Sequence, residues 1–222
     1  MTTEQIRERP ILFSAPMVRA ILDGSKTQTR RIVKPQPLRI VTESPGKISV
    51  HWEWKGQNLA ATGVQQFLSK CPYGQPGDGL WVRESFWGCD MPGYGDQPCV
   101  VYDDEWHGKE YAPAETRPWA RKFGRIPSIH MPRDCSRILL EITAVRVERL
   151  QDITEADAQA EGCQSLTWDG TAGPADLIDW PIKSTNRPYT NDYALLWESI
   201  NGPGSWEANP WVWVIEFRRL KP

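Results

Sequence analysis

From Gly24 to Arg31 the chain reads Gly-Ser-Lys-Thr-Gln-Thr-Arg-Arg, a crowding of cationic and hydroxyl side chains that no other stretch of the sequence matches. Two kinds of chemistry suit it. A strip made of Lys26, Arg30 and Arg31 can hold a phosphate. Alternatively, Lys26 can serve as a base, because neighbouring Arg30 and Arg31 and removal from water all disfavour an ammonium. A Lys26 amine that takes the hydroxyl proton of Thr29 produces an oxygen nucleophile for an acyl carbonyl, and backbone amides of the turn can hold the resulting oxyanion. Geometry sets a condition on this. In an unbroken strand positions 26 and 29 point to opposite faces, so a shared site requires a bulge or a strand that begins after Lys26.

The elements that must position these residues are partly legible. Residues 1–10 are polar and read as a loose start, followed by a short strand at Ile11–Phe13. Ser14 can cap a helix over Pro16–Leu22, with Met17, Ile21 and Leu22 turned inward and Gly24 as its left-handed exit. Lys26 to Val33 then suits a strand that ends at Pro35 and Pro37. Ile48–Trp54 alternates like a strand, the Pro76-Gly77-Asp78-Gly79 turn launches another through Leu80–Glu84, and Arg137–Leu150 has the pattern of a long strand. Thr154 and Asp157 have capping-box spacing at the start of a helix over Glu155–Glu161, and Gly162 is its stop. A carboxyl group at that helix end meets the negative end of the dipole, which together with burial favours its protonated form and suits a general acid. Asp192–Ile200 reads as a short helix and Trp211–Leu220 as a closing strand.

Gly24, Lys26, Thr29 and Arg31 resemble the signature of the ASCH family, a branch of the PUA-like folds, in which Gly, any residue, Lys, two residues, Glu or Thr, any residue and Arg follow one another. Thr29 stands where many members have Glu and where the bacterial N4-acetylcytidine amidohydrolases of the family have Thr. The stretch Thr154–Glu161 behind a long strand is similar to the helix of those enzymes, whose acidic catalytic residue falls on Glu161. The resemblance implies an α+β fold, a PUA-like small β-barrel, mixed and largely antiparallel, flanked by short helices. It implies a single domain over 1–222, elaborated by insertions near 34–75, 88–135 and 164–190. It also implies a metal-independent amidohydrolase that removes the acyl group from N4-acetylcytidine or related N4-acylated cytosine nucleosides, with Lys26, Thr29 and Glu161 as the catalytic set and no cofactor. The substrate would be a small modified nucleoside. Arg31 matches the last residue of the signature and is expected to bind it together with Arg83, Glu84 and Trp81. Two other readings stand beside this one. The first is a PUA-like RNA-binding module, with Lys26, Arg30 and Arg31 on phosphate and tryptophans stacked on bases. The second is an ASCH-type ribonuclease using Lys26 and Glu161 as acid and base.

Composition narrows the classes. The chain of 222 residues has a formal charge of -2, which removes the global attraction shown by proteins that bind long nucleic acids and leaves room only for weak RNA contact through local patches such as Arg117, Arg121, Lys122 and Arg125. Five cysteines lack any Cys-any-any-Cys spacing, so reduced thiols are expected, with neither a disulfide framework nor a metal. Neither a membrane-length apolar run nor an export signal is present, and a cytoplasmic protein is expected. The twelve tryptophans are several times ordinary usage, and core roles are expected for most, Trp197 and Trp213 among them.

Overall fold

The computed structural model describes residues 7–37, 39–44, 47–54, 57–62, 68–89, 99–102, 112–113, 124–163 and 188–220. In chain order its elements are β1 (Glu8–Leu12), α1 (Ala15–Asp23), β2 (Gln28–Ile32), β3 (Arg39–Ser44), β4 (Lys47–Trp54), β5 (Gln57–Thr62), β6 (Gly79–Arg83), β7 (Phe86–Cys89), β8 (Cys99–Tyr102), β9 (Ala112–Pro113) and β10 (Gly124–Ile126). Next come β11 (Leu139–Arg149), α2 (Glu155–Ala160), α3 (Pro188–Asn201) and β12 (Trp211–Leu220). The fold is mixed α+β. Its strands form a five-stranded sheet in the order β1-β6-β11-β12-β2, a four-stranded sheet β10-β7-β8-β9 and a three-stranded sheet β3-β4-β5. No closed barrel is found among the described residues. None of their helices is long and apolar enough to cross a membrane.

Two compact units share the chain, one made of Met1–Gly24, Pro72–Ala144 and Phe217–Pro222, the other of Ser25–Cys71 and Val145–Glu216. In the first, β1 runs parallel to β6, from Glu8 opposite Gly79 to Leu12 opposite Arg83. The expectation of a loose start over residues 1–10 is corrected at residues 8–10, which already belong to β1; residues 1–6 lie outside the described residues. The polar residues that suggested looseness are held by ion pairs: Arg9 Nη1 donates to Asp78 Oδ2 at 2.8 Å, and Arg133 binds Glu8. Pro10 is tolerated because β1 lies at an end of its sheet. Gly74, at φ +127, makes room for the Arg9–Asp78 pair, because a Cβ there would lie 2.8 Å from both Arg9 Nη1 and Asp78 Oδ2. Helix α1 starts at Ala15 and ends on Gly24 at φ 85, but Val18 and Ile21 are its buried residues, while Met17 and Leu22 are half-buried. The apolar stripe is thus rotated from the expected one.

Within the expected insertion near 88–135, where only Val100-Val101-Tyr102 reads as a strand in the sequence, that strand is present as β8, and the segment also supplies β9 and β10 to the four-stranded antiparallel sheet, in which β7 pairs with β10 and with β8. Its buried cluster is Phe86, Val100, Tyr102, Met131 and Cys135, and the Tyr102 hydroxyl donates to Cys135 O at 3.0 Å. Arg117, Arg121 and Lys122 lie outside the described residues, as does most of the expected insertion near 164–190.

In the second unit, β2 pairs antiparallel with β12, with Thr29 opposite Ile215, Arg30 opposite Val214 and Arg31 opposite Trp213. Helices α2 and α3 bury a core of Leu150, Ile153, Ala158, Cys163, Tyr193, Trp197, Val212 and Val214. Trp197 and Trp213 are buried as expected. Part of the expected insertion near 34–75 is the antiparallel sheet β3-β4-β5.

Candidate functional site

Lys26 and Glu161 meet in the second unit. The chain leaves α1 through Gly24 and reaches Lys26 two residues before β2 begins, so Lys26 is not part of the strand. It forms an isolated antiparallel bridge with Glu161, reinforced by a hydrogen bond from Thr27 N to Ala160 O at 2.8 Å. Glu161 is placed from the other side by α2. That helix opens with a complete capping box: the Thr154 side chain accepts from Asp157 N at 3.1 Å, and the Thr154 backbone N–H donates to Asp157 Oδ2 at 3.2 Å. Glu161 is its C-terminal cap, and the chain turns away at Gly162 with φ 86. Only a residue without a Cβ adopts that backbone without strain.

The contact is dense. Lys26 Nζ donates to Glu161 Oε2 at 2.8 Å and to Glu161 O at 2.8 Å. One ammonium therefore serves the carboxylate and also a carbonyl that the end of a helix leaves without an intrahelical donor. The other carboxylate oxygen, Oε1, accepts from Arg30 Nη1 at 3.2 Å. The side chains of Lys26 and Arg30 are 0% exposed and that of Glu161 is 3% exposed. Charges so far from water are retained only because each is paired.

Behind this pair the network continues outward. Arg30 Nη2 binds Glu148 and lies 3.5 Å from Asp157 Oδ2. Arg146 joins Glu148, Asp157, Glu216 and Gln28. The Arg30 guanidinium also sits 5.9 Å from the centre of the Tyr193 ring.

Burial pushes the Lys26 amine below its ordinary range; Glu161 opposes the shift, Arg31 adds to it, and the net direction is downward. Cys163, two residues beyond Glu161, is displaced the other way. Burial first, then the Asp192 and Glu161 carboxylates, raise its thiol well above the usual value, so it is no thiolate nucleophile at neutral pH. Burial and then Glu161 likewise keep Tyr193 a neutral phenol.

Thr29 and Arg31 lie on β2, Thr29 buried and Arg31 half-buried. Gln28, Arg30 and Ile32 alternate onto the face that meets Arg146, Glu161 and the apolar core. Period-two alternation turns Thr29 and Arg31 to the opposite face. Trp81, Arg83 and Glu84 belong to the first unit. There the Arg83 guanidinium lies 4.8 Å from the centre of the buried Trp81 ring and Arg83 Nε donates to Met131 O at 3.0 Å. Glu84 is held by Arg137 through two bonds of 2.9 Å, and that guanidinium covers the Tyr102 ring at 4.1 Å. No group of three metal-ligating side chains lies together among the described residues.

Sequence reasoning treated Arg30 as an electrostatic neighbour and missed it as a ligand of Glu161. The available signal was alternation, which places positions 26, 28 and 30 on one side. Glu148, Asp157 and Tyr193 gave no such signal, because they come from separate elements. Comparisons with protein-family models, with curated proteins and with solved structures find no match.

Proposed function

We propose that the second unit carries an amidohydrolase site that removes the acyl group from N4-acetylcytidine or related N4-acylated cytosine nucleosides. A PUA-like barrel as the fold and the cytoplasm as the location belong to the same reading. The observation that carries it is the buried Lys26–Glu161 pair, an amine and a carboxyl 2.8 Å apart and withdrawn from solvent. A proton moving within such a pair produces a base and an acid together, and burial favours the neutral Lys26 amine. In the neutral form, the Lys26 amine takes the Thr29 hydroxyl proton and Thr29 Oγ1 bonds to the acyl carbon. The bond from that carbon to N4 then breaks as Glu161 delivers its proton to N4, releasing cytidine. In the second half, Glu161 takes a proton from water, the hydroxyl adds to the Thr29 ester, and Lys26 returns its proton to Thr29 Oγ1 as the carboxylic acid leaves.

A second route is favoured by the alternation of β2, which turns Thr29 away from the face that Arg30 shares with Glu161. Here Glu161 activates water directly, Lys26 stays charged and stabilises the oxyanion, and Thr29 orients the substrate. The experiment incubates the purified chain with N4-acetylcytidine and follows cytidine release. Turnover that falls by about 100-fold or more in Lys26→Ala is expected, the scale of acid–base catalysis. Absence of turnover at high protein concentration overturns the reading. Mass spectrometry of quenched samples separates the routes: acylated Thr29 marks the covalent one, and a Thr29→Ala protein that keeps most of its activity marks the direct one.

A further inference from the structure

We propose that Arg30 is a positioning residue of this site, holding one oxygen of the Glu161 carboxylate so that the carboxylate is divided between two cations rather than closed around Lys26. Arg30 Nη1 reaches Glu161 Oε1 at 3.2 Å while Lys26 Nζ holds Oε2 at 2.8 Å. The guanidinium is itself fixed from behind, where Nη2 binds Glu148 with Asp157 at 3.5 Å. Its plane therefore bridges a buried carboxylate and two half-buried ones, which a single-headed cation cannot do. Arg30 acts through Glu161: the more of the carboxylate's charge it engages, the weaker the carboxylate's hold on the Lys26 ammonium.

The other groups facing Lys26 do not replace it. Arg31 on β2 repels the ammonium, Cys163 lies beside the pair as a neutral thiol, Asp192 of α3 acts on Cys163, and Tyr193 of α3 is a neutral phenol on which Glu161 and Arg30 act. The effect on turnover rests on the amidohydrolase reading; the effect on Lys26 does not.

The test follows the Lys26 amine by NMR in the full chain labelled with nitrogen-15 and carbon-13, its signal identified by its loss in Lys26→Met. Arg30→Gln is expected to move the Lys26 titration midpoint upward, because Glu161 then faces Lys26 alone. Arg30→Lys keeps the buried charge but reaches only one carboxylate; it is expected to move the midpoint the same way by less, and it carries the test if Arg30→Gln does not fold. A midpoint that stays at the wild-type value in the folded variant overturns the proposal, whatever happens to stability. On N4-acetylcytidine, Arg30→Gln is expected to lower kcat by about tenfold or more while KM changes by less than about threefold. If the wild-type chain turns nothing over, the amidohydrolase reading fails and the titration alone decides the role of Arg30.

Discussion

At the scale of single residues, the unusual feature is a lysine and a glutamate buried together, an arrangement that is costly to build and worse to break. Removing one member of a buried pair leaves a charge behind, a loss of about 3–5 kcal/mol, whereas removing both is often neutral or stabilising. Lys26→Met is therefore expected to destabilise the protein by about 3 kcal/mol, toward the low end because Arg30 still holds Glu161 Oε1. Lys26→Met with Glu161→Leu should recover most of that loss. Urea unfolding of the four proteins in the cycle measures the coupling, and a double variant as unstable as the sum of its singles would exclude it. The same pair leaves a mark in alkali. The folded-state value of Lys26 lies below the unfolded one, near 10.5, so between the two the unfolded chain binds more protons and stability due to Lys26 rises with pH. Cys163 and Tyr193, both raised, act oppositely in that range. They are present in wild type and in Lys26→Met alike, so the difference in stability between those two proteins isolates Lys26. That difference should shift in favour of wild type as pH climbs toward 10.5.

At the scale of elements, Glu161 is only as well placed as α2, a helix of six residues. A helix that short has little stability of its own and depends on its caps. Thr154→Ala removes the side-chain acceptor for Asp157 N and is expected to cost about 1 kcal/mol in chemical unfolding. If the proposed amidohydrolase activity holds, damage transmitted to the far end of the helix should also lower kcat on the acylated nucleoside; unchanged kcat in a destabilised protein would show that the bridge to Lys26 alone holds Glu161. The capping box and the Gly162 stop were legible in the sequence, as was the Gly24 exit of α1, because each is local chemistry within a few residues. Of the sheet β7–β10 only β8 was legible, at Val100-Val101-Tyr102; β7, β9 and β10 have only two to four residues and lack a readable alternation. Nor was the cap of α3 legible: Glu155 of α2 accepts from Tyr189 N at 3.0 Å and Thr190 N at 3.1 Å, a bond between elements that no local pattern encodes. The Lys26–Glu161 pairing spans 135 residues and came from the family resemblance, not from any periodicity. The sequence did state the geometric condition at Thr29. The strand begins at Gln28, after Lys26, while Thr29 remains on the face opposite Arg30.

At the scale of the whole molecule, each unit is stitched from separated chain segments, and each contains a carboxylate whose partners hold it below its usual range. In the first unit this is Asp78: burial works to raise it, but the bonds from Arg9 and from Gln75 N prevail, the latter at 3.0 Å. In the second it is Asp157, where burial is again overcome, by Thr154, Arg30 and Arg146. Both folded-state values therefore lie below the unfolded one of 3.8. The stability they contribute is present above that value and is lost as pH falls through the folded values, where the native carboxylates must also protonate. Glu8 is lowered too, chiefly by its hydrogen bond from Arg133, but that pair is more than a third exposed on each side on average and contributes little. With a formal charge of only -2 at neutrality, protonating carboxylates soon leaves the chain with net positive charge, which adds repulsion to the loss of specific bonds. Asp78→Asn and Asp157→Asn are each expected to cost about 1.5–3 kcal/mol at pH 7, the scale of a hydrogen bond to a charged group. The deficit should shrink as pH falls below 3.8, because the wild-type carboxylates then lose the same charge. Thermal unfolding followed from pH 7 to pH 2.5 measures it. A deficit that stays constant across that range would mean that these aspartates contribute through shape and neutral hydrogen bonds, and that the acid sensitivity of the fold resides in other carboxylates.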